Sequence, residues 1–94
     1  GLKIRNVKND SESVIRTDGV FIAVGLVPNT ERFQELMALD KGGYIIAGEE
    51  GITQTPGVFA AGDIRTKKLR QVVTAVADGA NAVASAQHYL MTNK

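Results

Sequence analysis

The sequence predicts an α/β fold, and three features predict it. Short apolar runs bounded by glycine and proline lie at 19–27 and 58–61. Such runs fit strands buried on both faces. A long stretch of helical spacing closes the chain: Val72, Val73, Val76, Ala80, Val83, Ala84, Gln87 and Leu90 recur mostly three and four apart, from Arg70 to about Met91. The first 18 residues are more polar than the rest, which marks a candidate domain boundary.

From the N-terminus, Leu2, Ile4 and Val7 alternate with Lys3, Arg5 and Asn6, as in an exposed strand. Asn9-Asp10-Ser11 signals a turn, and residues 13–17 return as a second strand of a hairpin with one wet face. The run Gly19–Val27 is expected to be a buried strand, stopped by Pro28-Asn29-Thr30. Thr30 can cap a short helix carrying Phe33, Leu36 and Met37, with Glu31 favourable near its start. Lys41-Gly42-Gly43 ends that helix. Tyr44–Ala47 reads as a short strand, 48–51 as a turn, 53–57 as a loop cornered by Pro56-Gly57, and Val58–Ala61 as another buried strand closed by Gly62-Asp63. A basic loop, Arg65–Arg70, leads into the final helix. Gly79 falls inside it, where glycine is less favourable than alanine by about 1 kcal/mol; a close backbone contact would explain it.

Composition narrows the function. Ninety-four residues make one small domain at most, and a net charge of +1 argues against a general nucleic-acid or membrane-surface binder. No apolar run approaches the roughly 18 residues of a membrane span. Residues 1–5 do not resemble a secretory signal, so a cytoplasmic protein is expected. There is no cysteine and one histidine, His88. Thiol chemistry and cysteine-based zinc sites are therefore excluded within this chain, and redox chemistry would need a bound cofactor or residues outside it.

The informative constellation is strand, Gly62-Asp63, loop, helix. The carboxylate of Asp63 is expected at the C-terminal edge of a buried strand, where open α/β sheets bind ligands, and it is a good acceptor for sugar hydroxyls. The helix beginning near Arg70-Gln71-Val72 offers unpaired N–H groups with partial positive charge, which could donate to a ring carbonyl. Plainer readings stand beside these. Gly-Asp after a strand is often a simple turn or cap. Arg65, Lys67, Lys68 and Arg70 read as a solvated face, Gln71 as surface and Asp78 as an exposed helix position. His88 reads as structural, and Phe59 and Tyr89 as core.

The string Thr55–Asp63 closely resembles the second FAD motif of the pyridine-nucleotide disulfide oxidoreductases. Gly19–Gly25 followed by Pro28-Asn29-Thr30 resembles the crossing from that family's NADPH domain back to its FAD domain. A single helix after Gly62-Asp63, opening on Arg70-Gln71, is similar to the low-molecular-weight thioredoxin reductases. The resemblance implies the C-terminal stretch of such an enzyme: part of a three-layer Rossmann-like FAD domain (27–94) preceded by terminal strands of the NADPH domain (1–26). It implies that Gly62, Asp63 and Ile64 line the FAD site, with Asp63 on the ribityl chain. Arg70, Gln71 and Val72 would lie at the flavin, the Val72 N–H near a pyrimidine carbonyl. The implied cofactors are FAD and NADPH, the latter held mostly outside this chain, and the implied partner is thioredoxin. A related flavin reductase, of ferredoxin-NADP reductase or peroxiredoxin reductase type, is an alternative. So is a non-catalytic domain that self-associates.

The chain holds neither the Gly-x-Gly-x-x-Gly of an FAD pyrophosphate site, nor a second glycine-rich turn for NADPH, nor a Cys-x-x-Cys pair. Inactivity of the isolated chain is expected. Parallel strands without neighbours expose edges that favour self-association, so a homodimer or strand-exchanged dimer is expected on size-exclusion chromatography; strictly monomeric elution at high concentration would refute it.

Overall fold

The N-terminal hairpin forms because alternating polarity and a turn-forming loop act together. In the computed structural model, which describes Gly1–Asn93, β1 (Leu2–Arg5) pairs antiparallel with β2 (Glu12–Ile15) in the register Leu2↔Ile15 to Arg5↔Glu12. Asparagine side chains shape the turn: Asn6 Oδ1 accepts from the Lys8 N–H at 2.9 Å and Asn9 Oδ1 from the Ser11 N–H at 3.1 Å. Lys3 and Glu12 pair across the strands at 2.5 Å. Every strand residue is exposed, so both faces are wet.

The expected buried strand at 19–27 does not form. The run has no regular structure; Phe21 is 99% and Val27 92% exposed. A continuous apolar strand needs partners on both edges and cover on both faces, and the only ladder among the described residues is the hairpin. The chain is accordingly drawn out, with a radius of gyration of 19.9 Å against about 12 Å for a compact domain of this length.

The compact part begins at Pro28. The helix expected after Thr30 shrinks to a 3-10 turn, Glu31–Phe33, with following turns up to Met37. The Thr30 hydroxyl donates to the Gly43 carbonyl at 2.5 Å instead of capping the turn, so the helix start lacks the acceptor that would extend it. Residues 44–47 lie between two neighbours rather than in a full strand. Ile45 bridges Leu39 antiparallel and Arg65 parallel, with the Ile45 N–H on the Ile64 carbonyl at 3.0 Å and the Thr66 N–H on the Ile45 carbonyl at 2.8 Å. The expected strand at 58–61 is likewise a single bridge, Ile52↔Phe59, closed by the Thr53 hydroxyl donating to the Val58 carbonyl at 2.8 Å.

A small core results: Met37, Ile45, Ala47 and Ala60, flanked by Leu39, Val58 and Ile64. Over it lies α1 (Val72–Thr92). The face it turns inward carries Ala75, Asp78, Ala82, Ser85 and Tyr89, whereas the valines at 72, 73, 76 and 83 and Leu90 are exposed. Small inward side chains let the helix approach closely. A Cβ on Gly51 (φ +69°) would stand 2.8 Å from the Ala60 carbonyl oxygen and 3.2 Å from the Ala82 Cβ. The Ser85 hydroxyl donates to the Glu50 carbonyl at 2.8 Å, and Phe59 meets Tyr89 edge-on at 6.2 Å. The close contact expected at Gly79 is absent, for nothing lies within 4 Å of a Cβ there.

The two glycines therefore respond oppositely to alanine. In urea unfolding followed by circular dichroism, Gly51→Ala is expected to destabilise by about 1–3 kcal/mol through overpacking and positive φ, and Gly79→Ala to stabilise by about 0.5–1 kcal/mol.

Candidate functional site

The site is built where the turn 62–64 meets the start of α1. Gly62 opens a 3-10 turn, Gly62–Ile64, at φ +83°, a backbone conformation that glycine adopts without penalty. Gly62 is buried; the next residue, Asp63, is exposed. The chain then runs through the basic loop to Gln71, extended at φ −144° and ψ 158°, after which α1 begins. The first helical bond runs from the Ala75 N–H to the Gln71 carbonyl at 3.0 Å. The Gln71 N–H is taken by the Thr74 hydroxyl oxygen at 3.1 Å, while the N–H groups of Val72 and Val73 meet no acceptor among the described residues. These are the orphan donors of a helix start, with the positive end of its dipole behind them.

Asp63, Gln71 and Val72 line one shallow cleft of about 380 Å³ together with Ala75 and Val76. Asp63 also borders a second cleft of about 270 Å³, lined by Ile64, Arg70, Tyr44 and the Leu26–Asn29 stretch. The structure thus brings five of the expected site residues to two clefts that share Asp63. Gly62 lines neither and supplies the backbone bend that turns Asp63 outward.

Arg70 departs from the solvated reading. Its guanidinium stacks 3.8 Å over the Tyr44 ring, Nε donates to the Asp63 carbonyl at 3.0 Å, and Nη2 donates to the Arg65 carbonyl at 3.2 Å. It braces the turn from outside.

Sequence reasoning missed Asp78, Arg65 and Lys67. Asp78, expected on the helix surface, is 4% exposed, and Arg65, expected in a wet basic loop, is 5% exposed. The Lys67 side chain is 7% exposed. Asp78 Oδ2 accepts from the Gly62 N–H at 2.9 Å, Arg65 Nε at 2.7 Å and Lys67 Nζ at 2.7 Å; Oδ1 accepts from Arg65 Nη2 at 2.6 Å. Arg65 Nη1 reaches on to the Thr66 carbonyl at 2.9 Å and the Ala47 carbonyl at 3.3 Å. No buried side-chain polar atom among the described residues lacks a partner. The signal was present in the spacing, since Asp78 lies on the same helix face as Ala75, Ala82 and Tyr89. Valine periodicity drew attention to the opposite face.

The arrangement can hold a planar ring against Val72, Ala75 and Val76, offer N–H donors to an electron-rich ring edge, and accept hydroxyls at Asp63. Among the described residues nothing supplies a glycine-rich cradle for a pyrophosphate. No group of three His, Cys, Asp or Glu among them could hold a metal ion, and no helix is long and apolar enough to cross a membrane.

Residues 1–79 match the family model for pyridine nucleotide-disulphide oxidoreductases, and the chain belongs to that family. Several similar proteins are thioredoxin reductases. The chain is 51% identical over 90 residues to the thioredoxin reductase of Listeria monocytogenes, covering 96% of this chain and 28% of that protein. It is 44% identical over 92 residues to the mitochondrial thioredoxin reductase 1 of Arabidopsis thaliana, covering 96% of this chain and 24% of the relative. The crystal structure of Lactococcus lactis thioredoxin reductase superposes with a TM-score of 0.87 at 39% identity, over 96% of this chain and 30% of that one. The thioredoxin reductase of T. acidophilum superposes at 0.85 and 38%, over 98% and 30%. The chain thus spans less than a third of the relatives it matches, and its α/β fold is part of the Rossmann-like FAD domain of these structures.

The buried cluster fixes a pH response. Arg65 hydrogen bonding, then Lys67 and the Gly62 N–H, hold the Asp78 carboxyl well below the ordinary carboxylate range against the opposing effect of burial. A folded-state value below the unfolded one of about 3.9 means that this stabilisation is complete above that pH and is lost as pH falls toward the folded-state value. Asp78→Ala is expected to lose about 3–5 kcal/mol at pH 7, because two buried cations lose their counter-ion. The same substitution should flatten the acid limb of a stability–pH curve measured by chemical denaturation.

Proposed function

We propose that this chain is the flavin-gripping C-terminal part of an FAD-dependent NADPH:thioredoxin-disulfide oxidoreductase, and that alone it is catalytically inactive. The observation that carries the reading is the convergence of Asp63 with Gln71 and Val72, the residues that open α1, on one cleft. Identity to thioredoxin reductases over nearly the whole chain supports it.

In this reading residues 27–94 contribute to the FAD domain and 1–26 are the last strands of an NADPH domain. Asp63 accepts hydrogen bonds from ribityl hydroxyls. Gln71 and Val72 stand at the ring, and the Val72 N–H donates to a pyrimidine carbonyl. That donor, at the positive end of a helix, favours negative charge on the carbonyl. Arg70 holds the turn and closes the second cleft beside Ile64. Bound FAD would take hydride from NADPH and pass electrons through a cysteine pair to thioredoxin. The NADPH site, the cysteines and the pyrophosphate cradle belong to parts of the protein outside this chain. Self-association through the exposed 20–27 run fits the same reading, because that run has no partner here.

The test is titration of the 15N-labelled chain with FAD. Amide shifts are expected to move first at Asp63, Gln71 and Val72, with millimolar-range affinity and no yellow colour left after desalting. Asp63→Ala should weaken binding by about 1.5–3 kcal/mol, the worth of a hydrogen bond to a charged group. Perturbation elsewhere, or none at saturating FAD, would overturn the assignment.

A further inference from the structure

The buried carboxylate of α1 is aimed at the turn that carries Asp63, and its geometry goes beyond what stability requires. Asp78 takes the backbone N–H of Gly62 directly, at 2.9 Å. It holds Arg65 in a two-point contact at 2.6 and 2.7 Å, and Arg65 sits at the other end of the same short turn. Both ends of the segment bearing Asp63 are therefore fastened to one side chain of the helix whose first residue, Val72, lines the same cleft as Asp63. On the outer side, Arg70 holds the Asp63 carbonyl at 3.0 Å and the Arg65 carbonyl at 3.2 Å. The Asp63 side chain is left free between two fixed backbone anchors.

We infer that Asp78 is a positioning residue for the flavin site: by clamping Gly62 and Arg65 to α1 it sets where the Asp63 carboxylate stands relative to the N–H donors of Val72 and Val73. The inference rests on the flavin reading above and extends it to a residue that touches no ligand. A bidentate carboxylate–guanidinium contact fixes orientation as well as distance, and a ligand-binding group is only as well placed as the shell that holds it. Lys67, the third donor at 2.7 Å, neutralises charge from the loop side and leaves the turn alone.

The experiment compares Asp78→Asn and Asp78→Glu with Tyr89→Ala, a packing substitution beside Phe59 near the far end of α1. FMN serves as probe because it carries the ring and the ribityl chain in soluble form. Each variant is titrated at matched folded fraction, and the amide shifts of Asp63, Ile64, Val72 and Val73 are read without ligand. Asp78→Glu keeps the buried charge but moves the acceptor, so a residue acting through charge balance alone would be rescued by it. The expected result is that both Asp78 variants shift the Asp63 and Ile64 amides and weaken FMN about tenfold or more, the value of one well-aligned hydrogen bond to a charged group. Tyr89→Ala should keep the wild-type affinity within about twofold, as distant sites do. Equal losses in all three variants, full rescue by Asp78→Glu, or failure of both Asp78 variants to fold would reduce Asp78 to a stability role and overturn the inference. If the wild-type chain does not bind FMN, the flavin reading fails instead, and the ligand-free amide shifts still decide whether Asp78 places the turn.

Discussion

One carboxylate organises the folded part of this chain. Asp78 gathers a backbone N–H from the turn 62–64, a guanidinium from the loop behind it and an ammonium from further along, and Arg65 carries the connection to the Ala47 carbonyl. Four pieces of chain that share few apolar contacts are thereby joined around one buried charge. The apolar core is too small to do this: two of its four buried members are alanines. Breaking a buried ion pair by deleting one partner is far more damaging than never having built it. The cluster therefore holds the chain's layout, and deleting any one member leaves the others buried without their partner.

The site inherits its shape from that layout. Gly62 takes a positive φ, its N–H turns inward to Asp78, and the following carboxylate emerges at the surface beside the helix start. Arg70, stacked on Tyr44, closes the turn from the other side. An exposed acid and a set of helix donors are thus held in register by contacts lying beneath and beside them. That arrangement explains how a chain with few buried residues can still present a defined polar cleft.

Sequence reasoning was strongest where local chemistry decides. The hairpin followed from alternation and an asparagine-rich turn, and the final helix from periodicity; it begins at Val72 rather than Arg70 because Gln71 stays extended. The Gly62-Asp63 turn was legible as well. Strands were less so. Gly19–Val27 has the composition of a sheet's interior, but a strand is a relation between segments, and the run pairs with no other segment among the described residues. The 44–47 run shortens to two bridges at Ile45 and the 58–61 run to one at Phe59. Asp78 and Arg65 were hidden differently: charged residues are nearly always at the surface, and only their pairing reverses that expectation.

The drawn-out segment between the hairpin and Pro28 has a mechanical consequence. It joins two ends that share no packing, with Phe21 fully open to solvent. A peptide-bond cut there would free the hairpin while leaving every core residue, the charge cluster and the whole of α1 on one continuous piece. In covalent terms the portion bearing the two clefts is already separable, and the upstream strands are attached to it as a tether rather than as a foundation.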